Sequence, residues 1–163
     1  MNSIEWNSLD RREQDIILQF QRDYPVKIGS LAKSFGLSVL VSTLPAGVSG
    51  EIRPSVGAYQ IKVNRHDSPR RQRFTLAHEL AHFLLHRNEI GDGISDDVLY
   101  RSSLSDQREA QANRLAADIL MPLDAIRKEA KSRENLQRAQ LIEELSEVFS
   151  VSTAAMEIRL GFL

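Results

Sequence analysis

Residues 68–87 constrain this 163-residue chain more than any other stretch. Ser68-Pro69 supplies a capping hydroxyl and a proline suited to the first helical position. Phe74, Leu76, Ala77, Leu80, Ala81, Leu84 and Leu85 then recur at helical spacing as far as about Arg87. A long helix is expected here, and its apolar stripe must be buried against something else. The same helix carries His78-Glu79-Leu80-Ala81-His82, an H-E-x-x-H pattern. Residues four apart on a helix differ by about 40° in azimuth and about 6 Å along the axis, so both imidazoles can turn to one ion from the same face. Glu79 lies beside the first of them, where its carboxylate can reach a water on that ion without itself binding the ion. The bland alternative is an ordinary helix that carries these residues by accident, and the rarity of the pattern weighs against it.

Composition narrows what such a site can be. The chain has no cysteine, which excludes a disulfide scaffold, a thiolate zinc finger, an iron–sulfur site and a cysteine nucleophile together. A chain of this length buries roughly two thirds of its unfolded surface, so a metal is not needed to hold it together and would serve chemistry. The 21 basic and 22 acidic residues nearly cancel, which leaves no global field toward nucleic acid or an anionic membrane. Apolar runs such as Ile16-Ile17-Leu18 and Phe83-Leu84-Leu85 are too short to span a bilayer. Met1-Asn2-Ser3-Ile4-Glu5-Trp6 has neither a basic nor an apolar leader region, so a soluble cytoplasmic protein is expected.

The remaining segments read as follows. Residues 8–22 suggest one short amphipathic helix opened by Ser8 or Asp10, and residues 27–35 a second, with Gly36 at its C-cap. Leu37–Thr43, Ser49–Pro54 and Tyr59–Asn64 are β-like, separated by Pro45, Gly47, Gly50 and Gly57. They suggest a small antiparallel sheet of about three strands. After the long helix, Asn88–Ser105, with Gly91 and Gly93, reads as a loop of a length that is often functional. Helices are expected over about 106–120, 122–132 and 135–149, and a last short one is capped by Ser152 and ends at Gly161. The fold class is α+β, and with no repeat or linker a single domain over 1–163 is expected.

A catalytic zinc takes three protein ligands and leaves the fourth position for water. Without cysteine the third ligand is His, Asp or Glu. The extended pattern with a third histidine is excluded, because position 85 is Leu85 and position 88 is Asn88. His86 stands about 12 Å up the axis from His78, too far for a straight helix to bring all three rings together. It reads as a neighbour of the site, either a hydrogen-bonded buried histidine or a support for the ligands. Glu109 is the best remaining candidate, on a face with Ala112, Asn113 and Ala116 whose small residues allow close approach. Asp106-x-x-Glu109 could equally be a capping box with Glu109 turned to the backbone, and residue physics leaves the two readings open.

Arg73 through His86, followed by Glu109-x-x-Ala112-Asn113-x-x-Ala116-Ala117-x-x-Leu120-Met121-Pro122, resembles the ImmA/IrrE family of zinc metallopeptidases. Together with the strand Tyr59-Gln60-Ile61-Lys62-Val63-Asn64, the resemblance covers roughly residues 27–125, with 126–163 a C-terminal helical extension. Leu115 departs from it, since the family usually has an aromatic residue there. The N-terminal helix–turn–helix domain of some relatives is not expected here. The resemblance implies a zincin-like, mainly helical body, one Zn2+ held by His78, His82 and Glu109, and Glu79 as general base. It also implies a regulatory protein as substrate, typically a helix–turn–helix repressor whose cleavage releases stress or phage genes. Tyr100, His86, Tyr59, Arg73 and Asn113 are the candidates for an oxyanion donor or for a supporting position behind the ligands.

Two other classes stand beside the enzyme. One is a zinc-binding toxin or partner-binding factor of a toxin–antitoxin pair with little peptidase turnover. The other is a DNA-binding regulator, because residues 28–38 and 145–156 each read like half of a helix–turn–helix. Both segments are poor in Lys and Arg where phosphate and base contacts would lie, which favours core packing, and direct nucleic-acid binding is not expected.

Overall fold

The computed structural model describes residues 2–95 and 103–163. Three helices open the chain: α1 (Ile4–Ser8), α2 (Arg11–Phe20) and α3 (Ile28–Ser34). The helix expected over residues 8–22 is α2, opened by Asp10, and α1 is an additional helix before it. Ser3 caps α1 by accepting from the Trp6 N–H, while Asp10 and Glu13 close a reciprocal capping box that starts α2 afresh. Gly36 follows α3 at φ +81, the left-handed conformation expected of it.

Strands β1 (Ser38–Ser42), β2 (Gly50–Ser55) and β3 (Ala58–Asn64) come next. Together with the two-residue β4 (Ile94–Ser95) they form one sheet in the order β1-β3-β2-β4. The α+β class is borne out, but the sheet is mixed rather than antiparallel. β2 and β3 are an antiparallel hairpin, whereas β1 runs parallel to β3, with Ser38 opposite Gln60 and Ser42 opposite Asn64. Burial explains the order. β3 carries buried Ile61 and Val63 and takes the middle, while β1 lies at the edge with Leu40 and Val41 about half exposed. Ile52 faces Ile61 across the hairpin and both are fully buried, each side chain contributing about 1.5–3 kcal/mol of transfer free energy.

The long helix α4 (Pro69–His86) begins with Ser68 accepting from the Arg71 N–H and with proline at its first position, as its sequence requires. A short 3-10 turn (Arg87–Glu89) follows it, and α5 (Ser103–Leu120), α6 (Leu123–Lys131), α7 (Arg138–Phe149) and α8 (Thr153–Leu160) complete the chain. Thr75 through Phe83 are buried without interruption, so α4 is enclosed rather than amphipathic. The sheet covers one side of it and α5 another. Ala77 and Ala81 on α4 and Ala112 and Ala116 on α5 are fully buried, and side chains this small let the two helix axes approach closely. One cluster of buried apolar residues runs from Trp6 to Leu160. It takes in Ile28, Leu31, Ala32, Leu145, Phe149, Val151 and Met156, the apolar positions of both helix–turn–helix-like segments. Among the described residues no helix is long and apolar enough to cross a membrane.

Candidate metal centre

His78 and His82 lie one turn apart on the buried side of α4, with His78 4% and His82 1% exposed. The separation expected of an i, i+4 pair is realised as two Nε2 atoms 3.0 Å apart. Glu109 on α5 closes the group. Its Oε2 lies 2.9 Å from His78 Nε2 and its Oε1 3.0 Å from His82 Nε2. The capping-box alternative fails for a local reason: α5 starts at Ser103, so Asp106 lies inside its first turns and Glu109 is free to face α4.

Electrostatics couples the three. Burial pushes the Glu109 carboxyl up, but hydrogen bonds and charge from His78 and His82 outweigh it and hold the group well below the usual carboxylate range. Burial pushes His82 down, and the hydrogen bond to Glu109 restores only part of the loss. An ionised carboxylate and a neutral imidazole are the forms in which these side chains bind metals. The donor chemistry fits zinc. Bonds of about 2.0–2.1 Å in a tetrahedron set neighbouring ligand atoms about 3.3 Å apart; the two nitrogens here are slightly closer than that, and each has one oxygen of the Glu109 carboxylate about 3 Å away. His78, His82 and Glu109 can therefore hold a metal ion between them.

Glu79, next to His78, is fully buried. Its surroundings include a feature that the sequence did not announce. β2 begins at Gly50, and a Cβ there would collide with the Thr75 methyl group and stand 3.1 Å from Glu79 Oε1. Glycine at this point lets β2 lie directly against the face of α4 that bears the carboxylate.

Of the other expected site residues, Asn113 and His86 join the group. The Asn113 Oδ1 lies 2.8 Å from His78 Nδ1, on the side of the ring opposite the triad. His86 is buried, with its Nδ1 2.9 Å from His82 Nδ1. Gln111 was not foreseen, and its Oε1 lies 2.9 Å from His86 Nε2. On a regular helix it falls about 200° round from Glu109, off the stripe that marks Glu109 and Asn113. Tyr59 and Arg73 have other partners. The Tyr59 ring packs edge-on against Phe83, and Arg73 Nε donates to the Ser150 carbonyl at 3.1 Å. Tyr100 lies outside the described residues.

Known families decide what this arrangement belongs to. The chain matches the peptidase family M78, the IrrE N-terminal-like domain, over residues 32–161. It belongs to that family. The match extends past the motif-bearing span of 27–125 and takes in α6, α7 and α8. No curated protein matches the chain. Among solved structures it is similar to a Mycobacterium tuberculosis transcriptional regulator, with a TM-score of 0.58 and 19% identity. That similarity covers 95% of this chain and 48% of the regulator, so the chain spans about half the length of the structure it matches. At this identity the likeness is one of fold. As an IrrE N-terminal-like domain, the chain combines the fold of a peptidase family with a buried His-His-Glu group able to hold a metal.

Proposed function

We propose that this chain is a zinc-dependent endopeptidase that cuts a regulatory protein in the cytoplasm, in the first instance a helix–turn–helix repressor or antitoxin. The observation that carries the reading is the convergence of His78, His82 and Glu109: the two Nε2 atoms are 3.0 Å apart, Glu109 Oε2 is 2.9 Å from His78 and Oε1 3.0 Å from His82, with buried Glu79 beside the first ligand. Membership of a peptidase family supports the same chemistry.

In this reading His78, His82 and Glu109 hold the ion. Zinc, when bound, supplies a Lewis acid for the scissile carbonyl and makes a coordinated water acidic near neutral pH. Glu79 would accept a proton from the attacking water and deliver it to the leaving amine, one side chain serving as base and then acid. Its burial keeps the carboxylate in one place and raises the strength of its interactions. Asn113 and His86 hold the rings of His78 and His82 from behind, which fixes their orientation. Arg73 is bonded to the Ser150 carbonyl, which leaves the hydroxyls of Tyr59 and Tyr100 as the oxyanion donors to test.

Glu79→Gln separates binding from chemistry. The variant should retain zinc, measured by elemental analysis, and lose at least a hundredfold in cleavage of a repressor encoded beside the gene, on the scale expected for a general base. Cleavage at the wild-type rate would overturn the proposal.

A further inference from the structure

A histidine that binds zinc through Nε2 must carry its proton on Nδ1. A relay that ends on Gln111 can impose that state on His82. His82 Nδ1 faces His86 Nδ1 at 2.9 Å, and His86 Nε2 faces the Gln111 carboxamide at 2.9 Å. A neutral imidazole has one N–H and one lone pair, so each ring in the relay donates on one side and accepts on the other. Two proton arrangements satisfy both contacts of the relay, and Glu109 Oε1, 3.0 Å from His82 Nε2, favours the second of them until a cation takes that lone pair.

In the first, the Gln111 oxygen accepts from His86 Nε2–H. His86 Nδ1 is then an acceptor, His82 donates to it from Nδ1, and the His82 Nε2 lone pair points into the triad. In the second, the Gln111 amide nitrogen donates to His86 Nε2, every proton shifts by one site, and His82 presents an N–H to the place where the metal belongs. The first binds a cation and the second repels it. The structure has the Gln111 oxygen toward His86. His78 reaches the same state by a shorter route, with Nδ1 2.8 Å from Asn113 Oδ1.

We infer that Gln111 is a positioning residue that sets His82 in its zinc-binding tautomer through His86, so that two carboxamides of α5, Asn113 and Gln111, prepare both histidine ligands of α4. The inference rests on the reading of His78, His82 and Glu109 as zinc ligands. His86 then serves as a proton-ordered spacer, which accounts for a buried histidine one turn beyond the ligands that does not itself reach the ion.

Two variants and two readouts test it. Gln111→Met keeps the length of the side chain and removes the acceptor, while Gln111→Glu leaves an acceptor that cannot donate. Zinc affinity, measured by competition with a chromogenic chelator, should fall tenfold or more in Gln111→Met and stay within threefold of wild type, or tighten, in Gln111→Glu. Long-range 15N–1H spectra at pH 8 supply the second readout, which a space-filling role would not move. His86 should be protonated on Nε2 and His82 on Nδ1 in the zinc-loaded wild-type protein, and removing zinc should shift both rings toward the other tautomer further in Gln111→Met than in the wild type. Equal zinc affinity in Gln111→Met and wild type, or His86 protonated on Nδ1 in the zinc-loaded wild type, would overturn the inference. Failure of the wild-type protein to bind zinc at all would instead overturn the ligand assignment beneath it.

Discussion

At the scale of single residues, the carboxylate of Glu79 depends on an atom that is missing from its neighbour. Gly50 has no Cβ, and the space a methyl would need is taken by Thr75 and by Glu79 Oε1. Gly50→Ala is therefore an overpacking change of about 1–3 kcal/mol, measurable as a lower urea midpoint. It should also displace Glu79, so that turnover falls while zinc content stays normal. A variant as stable and active as wild type would show that β2 can retreat from α4 without consequence. The sequence disclosed His78, Glu79 and His82 outright, because i, i+4 spacing on one helix is local geometry. Gly50 reads in the sequence only as a turn glycine, because its importance comes from a helix that packs across it. Gln111 was invisible for a related reason. Its partner His86 belongs to another element, and helical periodicity on α5 gives no cause to look for it there.

At the scale of elements, α5 is held by charge as well as by packing. Asp118 Oδ1 accepts from Arg159 Nη2 at 2.7 Å, and its Oδ2 accepts from the Ser3 backbone N–H at 2.9 Å. Arg159 Nε donates to the Met121 carbonyl at 2.8 Å. One buried carboxylate thus ties the start of α1 and the whole of α8 to α5. Asp118→Ala leaves the Arg159 guanidinium buried without its counter-ion and should cost about 3–5 kcal/mol in urea unfolding. Adding Arg159→Met should recover much of that loss, since the destabilising feature is the lone charge. A loss under about 1 kcal/mol in the single variant would mean that α8 is held by its apolar contacts. A second tie has a pH signature. Two hydrogen bonds from Arg114 to Glu5 Oε1, at 3.0 and 2.6 Å, hold the Glu5 carboxyl below its ordinary value, against the opposing effect of burial. A depressed folded-state pKa stabilises fully above the unfolded value of about 4.3, and the contribution is lost as pH falls through the folded one. Arg114 is half exposed, so the effect is about 1 kcal/mol. Glu5→Gln should accordingly be less stable than wild type at pH 7 and converge with it toward pH 3, as followed by urea midpoints across that range.

At the scale of the whole molecule, the candidate site joins two elements whose order in the chain leaves a long connection between them. A metal held by α4 and α5 binds the folded state and not the unfolded one, so it adds to stability by mass action. Free zinc at a hundredfold excess over its dissociation constant should contribute about 2.7 kcal/mol, or about 5–10 °C in melting temperature for a chain of this size. Glu109→Ala should abolish most of that shift and lower the zinc content. Normal zinc content in this variant would remove Glu109 from the ligand set.

Local sequence determined the caps of α4 at Ser68-Pro69, the left-handed turn at Gly36, the i, i+4 spacing of His78 and His82, and the exclusion of thiolate ligands, because each depends on residues a few positions apart or on composition alone. Tertiary structure decided the rest. The strands were legible, but not their pairing: β1, with its apolar Val39-Leu40-Val41 run, lies at the edge and parallel to β3, an outcome of competition among segments that no single segment records. The choice of Glu109 between cap and triad was likewise settled by where α5 begins and by which of its faces meets α4. Local hydrogen bonding and helical geometry act over one or two turns, whereas a metal centre made from two helices exists only when both are packed, and that contact is a property of the whole core.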